Sequence, residues 1–188
     1  QHVPVTICFN KCDLVTEEER KKLEEIYKPA GYDIIFTSAK AGINLEELKA
    51  VLKGKTTTVA GPSGVGKSSL INQLQDTIYM ETGSISEKIE RGKHTTRHSE
   101  IIPLGDDAYI MDTPGFSSMD VPGFEKEDLW TCYPEFLPYE PYCKFQGCSH
   151  ISEPSCGVKD ALAEGKISQI RYDNYILLYE EMKQIKKY

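Results

Sequence analysis

The sequence has no apolar run long enough to cross a bilayer, and it opens without the charged and apolar regions of a secretory signal. An excess of positive charge is missing too. Twenty-nine Asp and Glu stand against 22 Lys and Arg, a formal net charge of −7, which argues against a domain that grips nucleic acid nonspecifically over its whole surface. One candidate for a local exception is 88–98, where Lys88, Arg91, Lys93 and Arg97 outweigh Glu90; this is either a basic patch or a solvated loop. There is no internal repeat and no low-complexity tract. The chain opens with Gln1 rather than Met, so a fragment of a longer protein is expected. The apolar share of 39% is enough for one sizeable core.

Cysteine is not scarce: Cys8, Cys12, Cys132, Cys143, Cys148 and Cys156 are present. With no export signal a disulfide framework is not expected, and the crowding toward the C-terminal end points to a metal.

The first two-thirds alternates strand and helix signals. Val3–Phe9, Asp33–Thr37 and Thr56–Ala60 read as buried strands. Thr16 with Glu19 forms a capping box ahead of a helix to Tyr27, and Leu45, Leu48, Val51 and Leu52 recur at helical spacing. Glu100–Leu104 and Ala108–Met111, around Gly105-Asp106-Asp107, read as a hairpin at a sheet edge. Such alternation predicts an α/β fold with a mainly parallel sheet and helices on both faces over residues 1–120. After Val121 the prolines multiply, and Ile170, Tyr172, Tyr175, Leu178, Tyr179, Met182 and Ile185 predict a helix over 168–187. Residues 121–188 are therefore expected to form a small helical appendage.

The chemistry is concentrated in short strings. Gly61, Pro62, Ser63, Gly64, Val65, Gly66, Lys67 and Ser68, with Ser69 after them, match the phosphate-binding GxxxxGK[ST] pattern between a strand and a helix. Backbone N–H groups of such a loop wrap phosphate oxygens; Lys67 would reach the β- and γ-phosphates and Ser68 would ligate magnesium. Asp112-Thr113-Pro114-Gly115 ends a strand, placing a carboxylate for magnesium and the Gly115 N–H for the γ-phosphate. Asn10-Lys11-Cys12-Asp13 follows the first strand. Asp13 would accept from guanine N1–H and N2–H, Asn10 would donate toward the O6 side, and the Lys11 stem would pack over the base. Ser38-Ala39-Lys40 follows the second strand, with the Ala39 N–H offered to guanine O6. All these strings fall at the carboxyl ends of strands, where ligands bind in open α/β sheets. Together they favour a guanine over an adenine nucleotide, and an adenine-nucleotide kinase or ATPase conflicts with Asp13.

Between the phosphate loop and Asp112 lies Gly92-Lys93-His94-Thr95-Thr96-Arg97. Thr96, ahead of Thr95, is the candidate to complete magnesium coordination when GTP is bound. Cys143, Cys148, His150 and Cys156 make a Cys₃His set, four ligands and no open position, which suits structural zinc. Cys8 and Cys12 are expected to pack, and Cys132 to be buried.

The order of these strings is unusual, since the base-recognition elements precede the phosphate loop. That order, with GPSGVGKSS, GKHTTR and the Cys₃His set, resembles the circularly permuted small-ribosomal-subunit biogenesis GTPases of the RsgA (YjeQ) family over essentially the whole chain. The resemblance implies a GTPase hydrolysing GTP to GDP with magnesium, a structural zinc, and a switch role in late maturation of the small ribosomal subunit. It implies rRNA as a partner and the cytoplasm as the place, with no membrane; the chain is expected to be a monomer. Members carry an N-terminal OB-fold that this sequence lacks. A strand and helix that normally lie between the Asp112 and Asn10 motifs are also missing, so the sheet is expected to be short of a central strand. Phe116 stands where many GTPases have a water-orienting glutamine. His94 is then the candidate for orienting water, its alternative being a plain exposed loop histidine. The rival reading is a GTP-responsive binding module with negligible hydrolysis in isolation.

Overall fold

In a computed structural model of the chain, residues 3–75, 100–112 and 125–184 are described. The chain divides into two compact units. One comprises Thr6–Arg20 and Ile35–Asp120; the other comprises Gln1–Val5, Lys21–Ile34 and Val121–Tyr188.

The α/β part has five described strands in two ladders. β1 (Thr6–Phe9) pairs with β2 (Asp33–Phe36), while β3 (Thr56–Thr58), β5 (Ala108–Asp112) and β4 (Glu100–Gly105) form the second ladder with β5 in the middle. β3 runs parallel to β5, and β4 antiparallel to it. Among the described residues no ladder joins these two sets of strands.

Three helices follow the motif-bearing strands: α1 (Glu17–Tyr27), α2 (Leu45–Leu52) and α3 (Lys67–Leu74). α1 starts where the capping box places it. The Thr16 amide donates to a Glu19 carboxylate oxygen at 2.7 Å, and the Glu19 amide donates to Thr16 Oγ1 at 3.3 Å. Leu48 and Leu52 of α2 and Ile71 and Leu74 of α3 close one core with Ile35, Ile102, Leu104, Ala108 and Ile110. Each such Leu or Ile side chain removed from water contributes about 1.5–3 kcal/mol.

The hairpin is present, with a shorter connection than the spacing predicts. β4 continues through Gly105, which pairs with Ala108, so only Asp106 (φ 49°) and Asp107 (φ 55°) turn the chain. Two successive left-handed residues twist with the strands they join, and Asp tolerates that conformation better than most residues. The first strand is also shorter than expected. Val3 and Val5 are exposed, and Pro4 between them has no amide hydrogen to give a ladder.

Besides Lys21–Ile34, which carries most of α1, the other unit contains short 3₁₀ turns (Lys126–Cys132, Pro134–Phe136, Glu140–Tyr142) and two helices, α4 (Gly157–Ala163) and α5 (Gln169–Gln184). Prolines at the starts of the second and third turns suit a first helical position, where no amide hydrogen is needed. Its core joins Leu129, Tyr133, Phe136, Val158, Ala161, Ile167, Tyr172 and Tyr175 with Cys148 and Cys156. The buried face of α5 differs from the expected one: Tyr172 and Tyr175 are buried, Ile176, Tyr179 and Met182 pack beside them, and Ile170 and Leu178 face water. Cys132 is exposed rather than buried, because Leu129, Tyr133 and Phe136 fill the core from that stretch. Among the described residues no helix is long and apolar enough to cross a membrane.

Candidate nucleotide site and metal centre

Asn10 ties three motifs together. Its Nδ2 donates to the Val65 carbonyl at 3.0 Å, and its Oδ1 accepts from the Ala39 amide at 3.1 Å. Lys11, in a left-handed conformation (φ 64°), sends Nζ to the Gly64 carbonyl at 2.7 Å. The base-recognition string after β1 is thereby fastened to the phosphate loop after β3 and to the string after β2. This arrangement differs from the expected one in detail. The Asn10 donor is engaged by the loop, and the Ala39 N–H is engaged by Asn10, so Asn10 acts as a strut between loops.

Asp13 and Ser38 form the second relationship. Ser38 is fully buried; its hydroxyl accepts from the Ala41 amide at 3.0 Å and bonds the Asp13 carboxylate. That bond holds the Asp13 carboxyl below the usual carboxylate range, so the side chain is an acceptor at neutral pH. Arg20 Nη2 donates to the Cys12 carbonyl at 2.6 Å and secures the same turn. Cys12 is buried and Cys8, half-buried, meets Thr37 Oγ1 at 3.4 Å, so both pack as expected. Lys40 follows Ala39 at an exposed position.

In the phosphate loop, Gly66 caps α3 with φ 96°, and a β-carbon there would lie 2.4 Å from Asn10 Nδ2. Only glycine tolerates both constraints. Lys67, Ser68 and Ser69 form the first turn of α3, which aims unpaired backbone N–H groups and the positive end of the helix dipole at the loop. Lys67 Nζ donates to the Gly61 carbonyl at 2.5 Å and the Pro62 carbonyl at 2.9 Å, so its charge lies across the loop. Asp112 is the last residue of β5. His94, Thr95, Thr96, the basic stretch 88–98, Thr113, Pro114, Gly115 and Phe116 lie outside the described residues.

The Cys₃His set converges. The ligand atoms of Cys143, Cys148, His150 and Cys156 all lie within 4.8 Å of one another. Cys143 Sγ is 3.8 Å from Cys156 Sγ, and His150 Nδ1 is 3.5 Å and 3.4 Å from those two sulfurs. A tetrahedral zinc, with Zn–S about 2.3 Å and Zn–N about 2.0 Å, requires sulfurs about 3.8 Å apart and nitrogen about 3.5 Å from sulfur. The residues therefore fit such an ion. Burial pushes the Cys148 thiol up to about 12 and raises that of Cys156. A bound cation reverses that preference by stabilising thiolates.

Residues that sequence reasoning missed brace this centre. Glu153 accepts from the Ser149 amide, the Ser149 hydroxyl and the Ile151 amide. Tyr172 and Tyr175 of α5 donate to the carbonyls of His150 and Ser149, each at 2.6 Å. His150 itself is left-handed (φ 60°). No spacing rule reaches from α5 back to 149–150; only the acceptor string around Glu153 was local enough to find.

These two sites define a class: an α/β phosphate-loop domain with guanine-recognition strings in circularly permuted order, joined to a Cys₃His helical unit that could hold zinc. Relatives agree. The chain belongs to the RsgA GTPase family, whose model matches residues 1–122. It is 75% identical over 188 residues to the small ribosomal subunit biogenesis GTPase RsgA of Agathobacter rectalis, covering all of this chain and 62% of that protein. The protein of the same name from Clostridium perfringens is 49% identical over 180 residues, 96% of this chain and 62% of its own length. Two crystal structures are similar. YjeQ from Thermotoga maritima has a TM-score of 0.77 at 35% identity, over 98% of this chain and 62% of that one. YloQ, described as a circularly permuted GTPase, has a TM-score of 0.72 at 33% identity, over 97% and 58%. The chain thus spans about 62% of the length of the curated relatives it matches.

Proposed function

We propose that the chain binds GTP with magnesium, hydrolyses it to GDP, and serves as a monomeric cytoplasmic switch in late maturation of the small ribosomal subunit and its rRNA. Residues 1–120 carry the nucleotide and 121–188 carry a structural zinc. The observation that supports this most is the Asn10 strut, which bonds both the phosphate loop and the Ala39 amide. A base and a triphosphate can be gripped together only if these loops are held at fixed separation.

In this reading Asp13, ionised and oriented by Ser38, accepts the guanine N1 and N2 hydrogens, and the Ala39 N–H is shared with O6. Lys11 covers the base with its stem. Lys67 exchanges its carbonyl partners for phosphate oxygens, Ser68 and Thr96 ligate magnesium, and Asp112 holds the ion through water. Gly115 reads the γ-phosphate, and His94 orients water.

Phe116 favours a second reading, a GTP-responsive module that hydrolyses negligibly alone, because an apolar ring cannot position water. Single-turnover GTP hydrolysis, with and without small ribosomal subunits, separates the two. Turnover that rises with subunits supports the switch. Nucleotide binding with no turnover in either condition supports the module, and failure to prefer GTP over ATP rejects both.

A further inference from the structure

The metal-binding reading leaves one group of the imidazole unexplained. Nδ1 of His150 faces the sulfurs, so Nε2 carries the proton. A histidine bound to a metal ordinarily donates this second N–H to a carboxylate, carbonyl or water. Here His150 is fully buried, and Nε2 has no hydrogen-bond partner among the described residues. Leaving a buried donor unmade is costly, so such an atom calls for an explanation.

Aromatic rings stand against that imidazole. Trp130, in the 3₁₀ turn Lys126–Cys132, lies perpendicular to it at 5.7 Å between centroids. Phe136, fully buried in the next turn, lies perpendicular at 6.0 Å. A perpendicular arrangement lets a polarised edge meet a π-face, and an N–H directed at such a face makes a weak hydrogen bond. The backbone side of the ring is fixed as well, since Tyr172 holds the His150 carbonyl.

We infer that Trp130 and Phe136 are positioning residues of the metal centre: their rings close the Nε2 side of His150 and take the place of the usual acceptor, leaving Nδ1 alone free to meet the ion. This rests on zinc occupying the Cys₃His set. Trp130 is the one tryptophan of the chain, so its fluorescence also reports the state of the centre.

The test uses the zinc-loaded 188-residue chain, ¹⁵N-labelled, and follows the His150 Nε2–H resonance together with zinc loss to a chromogenic chelator. The expected result is a slowly exchanging proton shifted upfield by ring currents. Trp130→Leu moves it downfield and weakens zinc binding by roughly 10–100-fold, the range for loss of an outer partner. Trp130→Phe, which keeps a ring, preserves both. A wild-type resonance at the position of an acceptor-bonded N–H overturns the inference while leaving the zinc reading intact. So does Trp130→Leu holding zinc as tightly as wild type. Wild-type protein that takes up no zinc overturns both. The wild-type resonance decides the matter even if Trp130→Leu does not fold.

Discussion

The side-chain nitrogen of Asn10 stands 2.4 Å from where a β-carbon on Gly66 would be, so Asn10 occupies the space that makes Gly66 necessary. Gly66→Ala meets two penalties. The left-handed conformation alone costs a side chain about 1–2 kcal/mol, and the new methyl displaces Asn10 from the Val65 carbonyl. The expected outcome is loss of both phosphate grip and base selectivity, read as weaker GDP and GTP binding by calorimetry. Unchanged affinity for both nucleotides would show that the strut is not needed.

Thr96 should separate the two nucleotide states. A switch threonine engages only when the γ-phosphate is present. Thr96→Ala should therefore keep GDP affinity within about twofold and lower GTP turnover about tenfold or more, in line with loss of one transition-state contact. Equal losses of GDP and GTP binding point to a structural role instead.

Zinc should copurify at one equivalent per chain, as one tetrahedral set requires. Cys148→Ser should lose the metal and loosen α5, whose Tyr172 and Tyr175 brace the carbonyls beside His150. Nucleotide affinity should survive, because the phosphate loop belongs to a separate core. Elemental analysis of freshly prepared protein and hydrogen exchange along α5 check both parts.

Arg171 and Glu135 form a paired ion bridge at 2.6 Å and 3.3 Å, with side chains 14% and 4% exposed. The guanidinium also lies over Tyr133 at 4.6 Å and Tyr27 at 5.7 Å. Arg171→Met leaves a buried carboxylate uncompensated, at a cost of about 3–5 kcal/mol. The double change with Glu135→Gln should recover part of that. Urea unfolding of the single and double variants measures it, and equal midpoints for wild type and Arg171→Met would contradict the assignment.

How far the sequence could be read follows from the distance over which each interaction acts. The GxxxxGK[ST] string, the Thr16–Glu19 capping box and the Cys₃His set depend on neighbours a few residues away, so spacing made them visible. The destination of the Asn10 amide depends on Val65, 55 residues on, and the Glu135–Arg171 pair spans 36; no periodicity carries that information. α5 marks the boundary between the two cases. Its existence was legible, but its apolar residues encircle the helix, so only packing decided that Tyr172 and Tyr175 face inward while Ile170 and Leu178 face water.

Guanine selectivity is the measurement on which the functional account turns. In the proposed function Asp13, whose carboxylate bonds Ser38, accepts the guanine N1–H and N2–H. Asn in its place presents a donor and should favour a base with a carbonyl at position 2. Competition binding of GTP and xanthosine triphosphate to wild type and Asp13→Asn reads this directly. Wild type should prefer GTP, and Asp13→Asn should lose roughly tenfold or more in GTP affinity, as expected for a charge-assisted bond, while gaining preference for the xanthine nucleotide. An Asp13→Asn protein that still prefers GTP would contradict the assignment of this site.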